Sequence, residues 1–386
     1  MLVIIAPVRP DRKSDGTLAL DDKFTTGMAH HCRVWPAPVR VLLRQPGDFR
    51  PGEPLPDTGG GYELRLFDPQ RGIDPADLQG AGLILASADM DETLSLPALI
   101  GPGQKLVYSI EYPLETRLRI LALDRDRSQL RKLRSLLWLL RQERRRRRAF
   151  RAADALQANG FPAEQAYARL TPDLLMYLDG RMSEDLFATP AEVARREARL
   201  RAGEPLRIAH SGRLERMKGS QDLLPFARAL LQQGIRFSLD IYGAGSLAAD
   251  IHQGLADPAL RASVRLHEPL PFASGLVPRL RNEADLFLTC HRQSDPSCSY
   301  IEAMGCGLAV AGYDNHMWQG LSLASGSGQV VPMGRPEALA AAIAAWDRDR
   351  EALISQNRIA LDYARAHDFT TEFDRRMEHL ARVRSG

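Results

Sequence analysis

Arg213 and Lys218 stand in one short turn, residues 211–219 (SGRLERMKG), bracketed by Gly212 and Gly219. Two cations so placed suit a diphosphate: a guanidinium offers a planar fork of donors and an ammonium a compact point charge. The glycines allow tight backbone, and the amides of a following helix add donors for phosphate. A second turn, 242–245 (YGAG), carries Gly243 and Gly245, where backbone can approach a ligand closely. Further on, Glu302 opens a predicted helix in the run 300–307 (YIEAMGCG), after the polar loop 294–299. A carboxylate there can accept hydrogen bonds from two ribose hydroxyls while neighbouring N–H groups, at Ser299 and Tyr300, face phosphate. Each feature also has an ordinary role: cations capping a loop, glycines ending a strand, a carboxylate complementing a helix dipole.

The elements that must position these residues read as parallel β-α units, because short apolar runs alternate with helical patterns throughout. The first half predicts strands at 2–8, 39–44, 62–67, 83–86, 105–110, 155–158 and 174–178. The second predicts strands at 206–211, 237–242, 263–266, 286–289, 308–311 and 329–331, with helices at 221–233, 247–255, 275–282, 300–306 and 336–347. Each chemical motif then falls just past the carboxyl end of a strand, where open α/β sheets hold ligands. Together they describe a pocket for a nucleoside diphosphate carrying a sugar. A chain of 386 residues suits two domains of about 150–200 residues each. The charged stretch 182–202 is the expected linker, and 45–61, with four Pro and five Gly, a surface excursion.

The order GRLERMKG, IYGAG, IEAMGCG resembles the retaining glycosyltransferases of the GT-B fold, specifically family 4 of the carbohydrate-active classification. The likeness covers 206–369 well and the N-terminal half by architecture. It implies an α/β fold of two Rossmann-like doubly wound domains facing a cleft. Residues 1–185 would form the acceptor side, 186–368 the nucleotide-sugar domain, and 369–386 a helix returning to the first domain. In such enzymes the Arg and Lys of the first motif grip the donor diphosphate, here Arg213 and Lys218, and the later Glu holds the ribose, here Glu302. One departure stands out. The family's second acidic residue, eight positions before that Glu and in contact with the donor sugar, is replaced by Ser294, with Asp295 next to it as the candidate substitute.

The chemistry implied is departure of a diphosphate whose growing charge is stabilised by cations and amides. These would do what a divalent ion does elsewhere, so neither metal nor cofactor is expected beyond the nucleotide sugar as co-substrate. Retaining members imply front-face attack, with the departing phosphate oxygen taking the acceptor proton. The expected function is transfer to a saccharide or lipid-linked acceptor in bacterial surface polysaccharide or glycan assembly. A silent nucleotide-sugar-binding subunit, or an epimerase or hydrolase on the same fold, stands as the alternative.

Acceptor-side candidates are Asp15, Gly16 and Lys23 after the first strand, and Asp89 and Glu111 after later ones. Asp89-Met90-Asp91 also reads as D-x-D, a metal-and-donor motif, although three donor motifs already occupy the other half. From 131 to 151 there are ten basic residues against one Glu, in a chain whose net charge is only +3, so the remainder is net negative and nucleic acid is not an expected partner. Here Leu133, Leu136, Leu137, Trp138, Leu139 and Leu140 precede Arg144, Arg145, Arg146, Arg147 and Arg148. That order suits an interfacial helix touching anionic lipid, and equally a solvated amphipathic helix. The run 1–8 is too short for a signal-peptide core, and no apolar run reaches the roughly 20 residues of a membrane span, so a cytoplasmic protein at the inner membrane face is expected. Cys32, Cys290, Cys298 and Cys306 lack metal-ligand spacing and read as reduced thiols. His30, His31, His267, His291 and His316 likewise have no partner spaced as a metal ligand.

Overall fold

The computed structural model describes residues 1–50, 52–58 and 61–386, so part of the predicted 45–61 excursion, at 51, 59 and 60, lies outside the described residues. The chain forms two compact units. One comprises Met1–Leu114, Ser135–Tyr177 and Thr370–Gly386, and the other Glu115–Arg134 and Leu178–Phe369.

The first unit is built on seven parallel strands in the order Tyr62–Phe67, Val39–Arg44, Leu2–Ile5, Leu83–Ser87, Lys105–Ile110, Ala155–Asn159, Leu174–Tyr177. Strands covered on both faces read as unbroken apolar runs, and LVII, third in that order, is buried at every position. Alternate side chains serve two cores. Leu2, Ile4, Val41 and Leu83 pack with Met28, Met377 and Leu380, while Val3, Ile5, Leu42 and Ile84 pack with Phe150 and Tyr167. The first strand stops at Ile5 rather than at Val8, because Pro7 has no N–H for the ladder. Residues 370–386 supply Met377, Leu380 and Val383 to this unit's core.

The second unit holds six parallel strands in the order Val264–His267, Phe237–Tyr242, Leu206–Ser211, Leu286–Thr289, Val310–Tyr313, Gln329–Val331. Helices Leu223–Gln232, Pro336–Arg348 and Arg350–Ala366 close its main core through Phe226, Leu230, Ile343, Trp346 and Ile354. The stretch predicted as linker contains helix Pro190–Arg201, started by a Thr189/Glu192 capping box. Its buried Arg196 donates to the carbonyls of Ala284, Gly307 and Cys306, at 2.8, 2.6 and 3.0 Å, so this helix is anchored to the second unit. The chain passes between units at Tyr177/Leu178, upstream of 185, and residues 115–134 also group with the second unit.

Candidate functional site

The 211–219 turn and the glycine turn are stitched into one block. The strand register ends at Ser211 opposite Tyr242, and the pairing continues past it. Gly212 N–H donates to Tyr242 O (3.1 Å), Leu214 N–H to Ala244 O (2.9 Å) and Leu247 N–H to Leu214 O (2.9 Å). This approach leaves no room for side chains: a Cβ on Gly243 would sit 2.0 Å from Gly212 O, and one on Gly245 2.6 Å from Leu214 O. Glu215 ties the turns again by accepting from the Ser246 N–H (2.9 Å) and hydroxyl (2.6 Å).

Gly219 joins this block to the loop after Leu286–Thr289. It adopts a left-handed φ of 71°, and a Cβ there would lie 1.7 Å from Cys290 O. Gly219→Ala should therefore be much more damaging than Gly234→Ala, where φ is 72° and the space is open. A left-handed alanine alone costs about 1–2 kcal/mol, so urea denaturation should show roughly that loss for Gly234→Ala and a clearly larger one for Gly219→Ala. Equal losses would mean that the contact with Cys290 is soft.

Lys218 is buried, and its Nζ donates to Asp295 Oδ2 at 2.5 Å and to Ser297 Oγ at 3.4 Å. Asp295 is buried too. Its Oδ1 accepts no hydrogen bond among the described residues and lies 3.8 Å from His291 Nδ1. Burial, helped by the Lys218 charge, holds the His291 imidazole well below its usual range, so that ring is neutral. Its Nδ1 lies 3.0 Å from the Tyr300 hydroxyl, to which Asn315 Nδ2 donates at 3.1 Å. Ser294 cannot act as an acid and is instead a knot. Its hydroxyl accepts from His316 N–H (3.0 Å) and its carbonyl from the Thr116 hydroxyl (3.3 Å). Asp295 is thus the carboxylate beside Lys218.

Arg213 contrasts with its neighbour. Its side chain is exposed and forms no hydrogen bond or ion pair among the described residues, while its carbonyl accepts from Glu215 N–H at 2.9 Å. The 211–219 turn therefore carries, at Arg213, a guanidinium without a side-chain partner among the described residues and, at Lys218, a buried ammonium already matched by a carboxylate.

Glu302 lies in helix Ser299–Gly305 with its side chain buried. Both carboxylate oxygens are engaged: Arg181 Nε donates to Oε1 at 2.7 Å and Arg181 Nη2 to Oε2 at 3.0 Å. That guanidinium also lies over the Phe272 ring, 3.8 Å from its centroid. The sequence reading did not include Arg181, which sits in a stretch without periodicity. Of the other donor-side residues, Ser299 exchanges a hydroxyl contact with Ser297 at 2.9 Å. Tyr300 is buried and stacked on Trp318, and desolvation pushes its phenol above the usual range.

In the first unit, Gly16 lies in the turn of a ribbon formed by Asp11–Arg12 and Leu18–Ala19, and its carbonyl accepts from Arg12 (2.6 Å). Asp15 in the same turn accepts from the Thr17 N–H and hydroxyl. Lys23 is exposed in the first turn of helix Asp22–Val34. Asp89 and Glu111 do meet, but as structure. The Asp89 carboxylate accepts from Glu111 N–H at 2.8 Å and from Arg146 Nη1 at 3.1 Å, tying two strand ends to a helix. Asp91 accepts from Gln142 and Arg145, both at 2.6 Å, so the D-x-D carboxylates are spoken for. No cluster of three or more metal-ligating side chains occurs among the described residues.

The basic run requires a correction. Arg146 is 1% exposed and cannot touch a membrane. On helix Gln129–Ala152 it shares the inward face with Gln142, Glu143, Ala149 and Phe150, donates to Ala88 O (2.7 Å) and Tyr112 O (3.1 Å), and lies over Phe150 and Tyr167. Arg147 is half-buried, bonding Glu143 at 2.7 Å. Arg145 is exposed but paired with Asp91, whereas Arg144, Arg148 and Trp138 point outward. The histidines are local: His30 meets Asp374 (2.9 Å), His267 meets Asp240 (2.7 Å), His316 meets Glu115 (3.0 Å), and burial pushes His31 down to about 3. No disulfide joins the four cysteines, and burial raises the Cys306 thiol to about 12.

Residues 205–349, which carry every donor-side motif, match the family described as Glycosyl transferases group 1. One relative among curated proteins is the amylovoran biosynthesis glycosyltransferase AmsK of Erwinia amylovora. It is 32% identical over 144 residues, which are 36% of this chain and 35% of that protein. The chain thus spans about a third of the length of this curated relative. Among solved structures, HepE of Anabaena in complex with UDP superposes with a TM-score of 0.67 at 15% identity, over 98% of this chain and 99% of that one. The same protein with UDP-glucose gives 0.62 at 16% identity, covering 100% and 99%. WaaG, a glycosyltransferase involved in lipopolysaccharide biosynthesis, gives 0.64 at 14% identity, covering 98% and 99%. The fold is accordingly that of the GT-B glycosyltransferases, with two parallel-sheet α/β domains.

Proposed function

We propose that this chain is a group 1 glycosyltransferase that moves a sugar from a nucleoside-diphosphate donor to a saccharide acceptor, with retention and without a metal ion. The observation that carries the reading is the stitched block of 211–219 and 242–246, which sets Arg213 free beside a buried Lys218–Asp295 pair within the span matching the family. The HepE complexes hold UDP and UDP-glucose, and AmsK is named for polysaccharide biosynthesis, which supports a uridine diphosphate sugar as donor and a growing glycan as acceptor.

In the reaction, the bond from the anomeric carbon to the β-phosphate oxygen breaks and its electron pair stays on that oxygen. Arg213, with no competing partner, swings to the charge that develops there, where preorganised donors act in the transition state. Asp295 presents its unpartnered Oδ1 to a hydroxyl of the donor sugar, the place that Ser294 cannot fill. The departing oxygen receives the acceptor proton as the new glycosidic bond forms on the same face, so no separate base is required. Metal-independence is supported by Asp89 and Asp91, whose carboxylates are held by Arg146, Arg145 and Gln142.

A second reading, binding of a nucleotide sugar without transfer, is favoured by one feature: Lys218 is neutralised by Asp295 and Glu302 by Arg181. Thermal shift with UDP, GDP and ADP, then turnover of the matching sugar nucleotides with and without EDTA, separates the two. A ligand at about a hundred times its Kd stabilises by about 2.7 kcal/mol, so UDP should raise the melting temperature by several degrees, and turnover should survive EDTA. No shift with any nucleoside diphosphate would end both readings; a shift without transfer would leave binding alone. Loss of turnover in EDTA, restored by a divalent ion, would return Asp89 and Asp91 to the reaction.

A further inference from the structure

Scattered apolar side chains are ordinary on protein surfaces, whereas clustered ones mark contacts. Of the eleven large apolar side chains exposed among the described residues, five fall on helix Gln129–Ala152: Leu130, Leu133, Leu137, Trp138 and Leu140. At 100° per residue, Leu130, Leu133, Leu137 and Leu140 lie within about 80° of arc, and Arg141, Arg144 and Arg148 continue the same stripe within about 100°. Burial agrees, since Gln142, Glu143, Arg146, Ala149 and Phe150 form the opposite, inward face. Leu137, Leu140, Arg141, Arg144 and Arg148 lie within the first unit, and the docking surface is this part of the stripe.

We propose that this outward stripe docks on an anionic lipid surface. Charge decides the occupant. Glu143 is the only acid on the helix, and it is buried against Arg147 and Tyr167, leaving the outward stripe with cations alone. A leucine half that enters the headgroup boundary, with exposed Trp138 at its flank, followed by arginines that fork onto phosphate, is the make-up of a helix lying in the membrane plane. No described helix is long and apolar enough to cross a bilayer, so the contact is a surface one. A lipid-linked acceptor would then meet the enzyme at the surface that holds it. The docking itself stands without the catalytic reading.

The test uses the whole chain with vesicles of phosphatidylcholine alone or with 30% phosphatidylglycerol, about 30% being an anionic fraction giving a surface potential that attracts basic helices. Sedimentation should occur with the anionic vesicles only and weaken in high salt. Replacing Arg141, Arg144 and Arg148 by Gln should lower partitioning about a hundredfold, and Leu137→Ser with Leu140→Ser should also release the protein. Trp138 is 53% exposed while Trp35, Trp318 and Trp346 are buried, so brominated lipid should quench its fluorescence selectively. Partitioning unaffected by both sets of substitutions, or no quenching, overturns the proposal. So does a concentration-dependent dimer in ultracentrifugation that Leu137→Ser abolishes, which would make a second copy the occupant. The UDP-induced thermal shift should be the same in these variants, so failure here is distinct from failure of the donor assignment.

Discussion

Arg213→Ala is expected to lower kcat/KM for the donor by about a hundredfold, the scale of losing one preorganised donor to a developing oxyanion. It should do so with almost no change in stability. The side chain is exposed and has no partner among the described residues, and surface replacements of that kind stay within about 0.5 kcal/mol, or roughly 1–2 °C in melting temperature. Steady-state turnover and thermal denaturation on the same preparation check both halves. Unchanged turnover would remove Arg213 from the leaving group, and a collapsed melting temperature would make it a structural residue.

Lys218→Met should behave differently, because it strands a carboxylate. Removing one member of a buried ion pair costs about 3–5 kcal/mol, and Asp295 would then keep neither the Lys218 hydrogen bond nor any other side-chain hydrogen bond to its carboxylate among the described residues. Asp295→Leu alone should cost a similar amount. The double variant should be far better than the sum, since it buries neither charge, with a coupling of several kcal/mol where unlinked sites add within about 0.5 kcal/mol. Urea denaturation of all four proteins measures this, and simple additivity would show that the pair is not formed. Activity lost at Lys218 therefore has two causes, fold and chemistry, whereas activity lost at Arg213 has one.

The parts of the fold legible in the sequence were those where chemistry is local. Strands at 39–44, 62–67, 105–110, 206–211, 237–242, 286–289 and 329–331 have the ends read from their apolar runs, because turn residues bound them on both sides. The strand expected at 308–311 is instead Val310–Tyr313. Leu308 and Ala309 are as apolar as a strand, yet their N–H groups bond Ala303 O (3.1 Å) and Asn357 Oδ1 (2.6 Å), and hydropathy does not distinguish a buried turn from a strand.

The site divides in the same way. Glycine turns and paired cations show in a few consecutive residues, so the 211–219 and 242–245 loops were legible. Arg181 was not, since its partner Glu302 stands 121 residues away and only the fold joins them. Arg146 was hidden among five identical residues. The signal available was phase: Gln142, Ala149 and Phe150 fall on its side of the helix, and an apolar Phe150 four residues on marks the inward face.

The Arg181–Glu302 fork has a consequence for what the Glu302 carboxylate can still accept. A carboxylate offers about four acceptor sites, and here two hydrogen bonds bind it to a segment only a few residues past the passage between the units. Any group that draws on Glu302 has to compete with the Arg181 guanidinium, and by thermodynamic reciprocity a loosened Arg181 leaves the carboxylate more open to other donors.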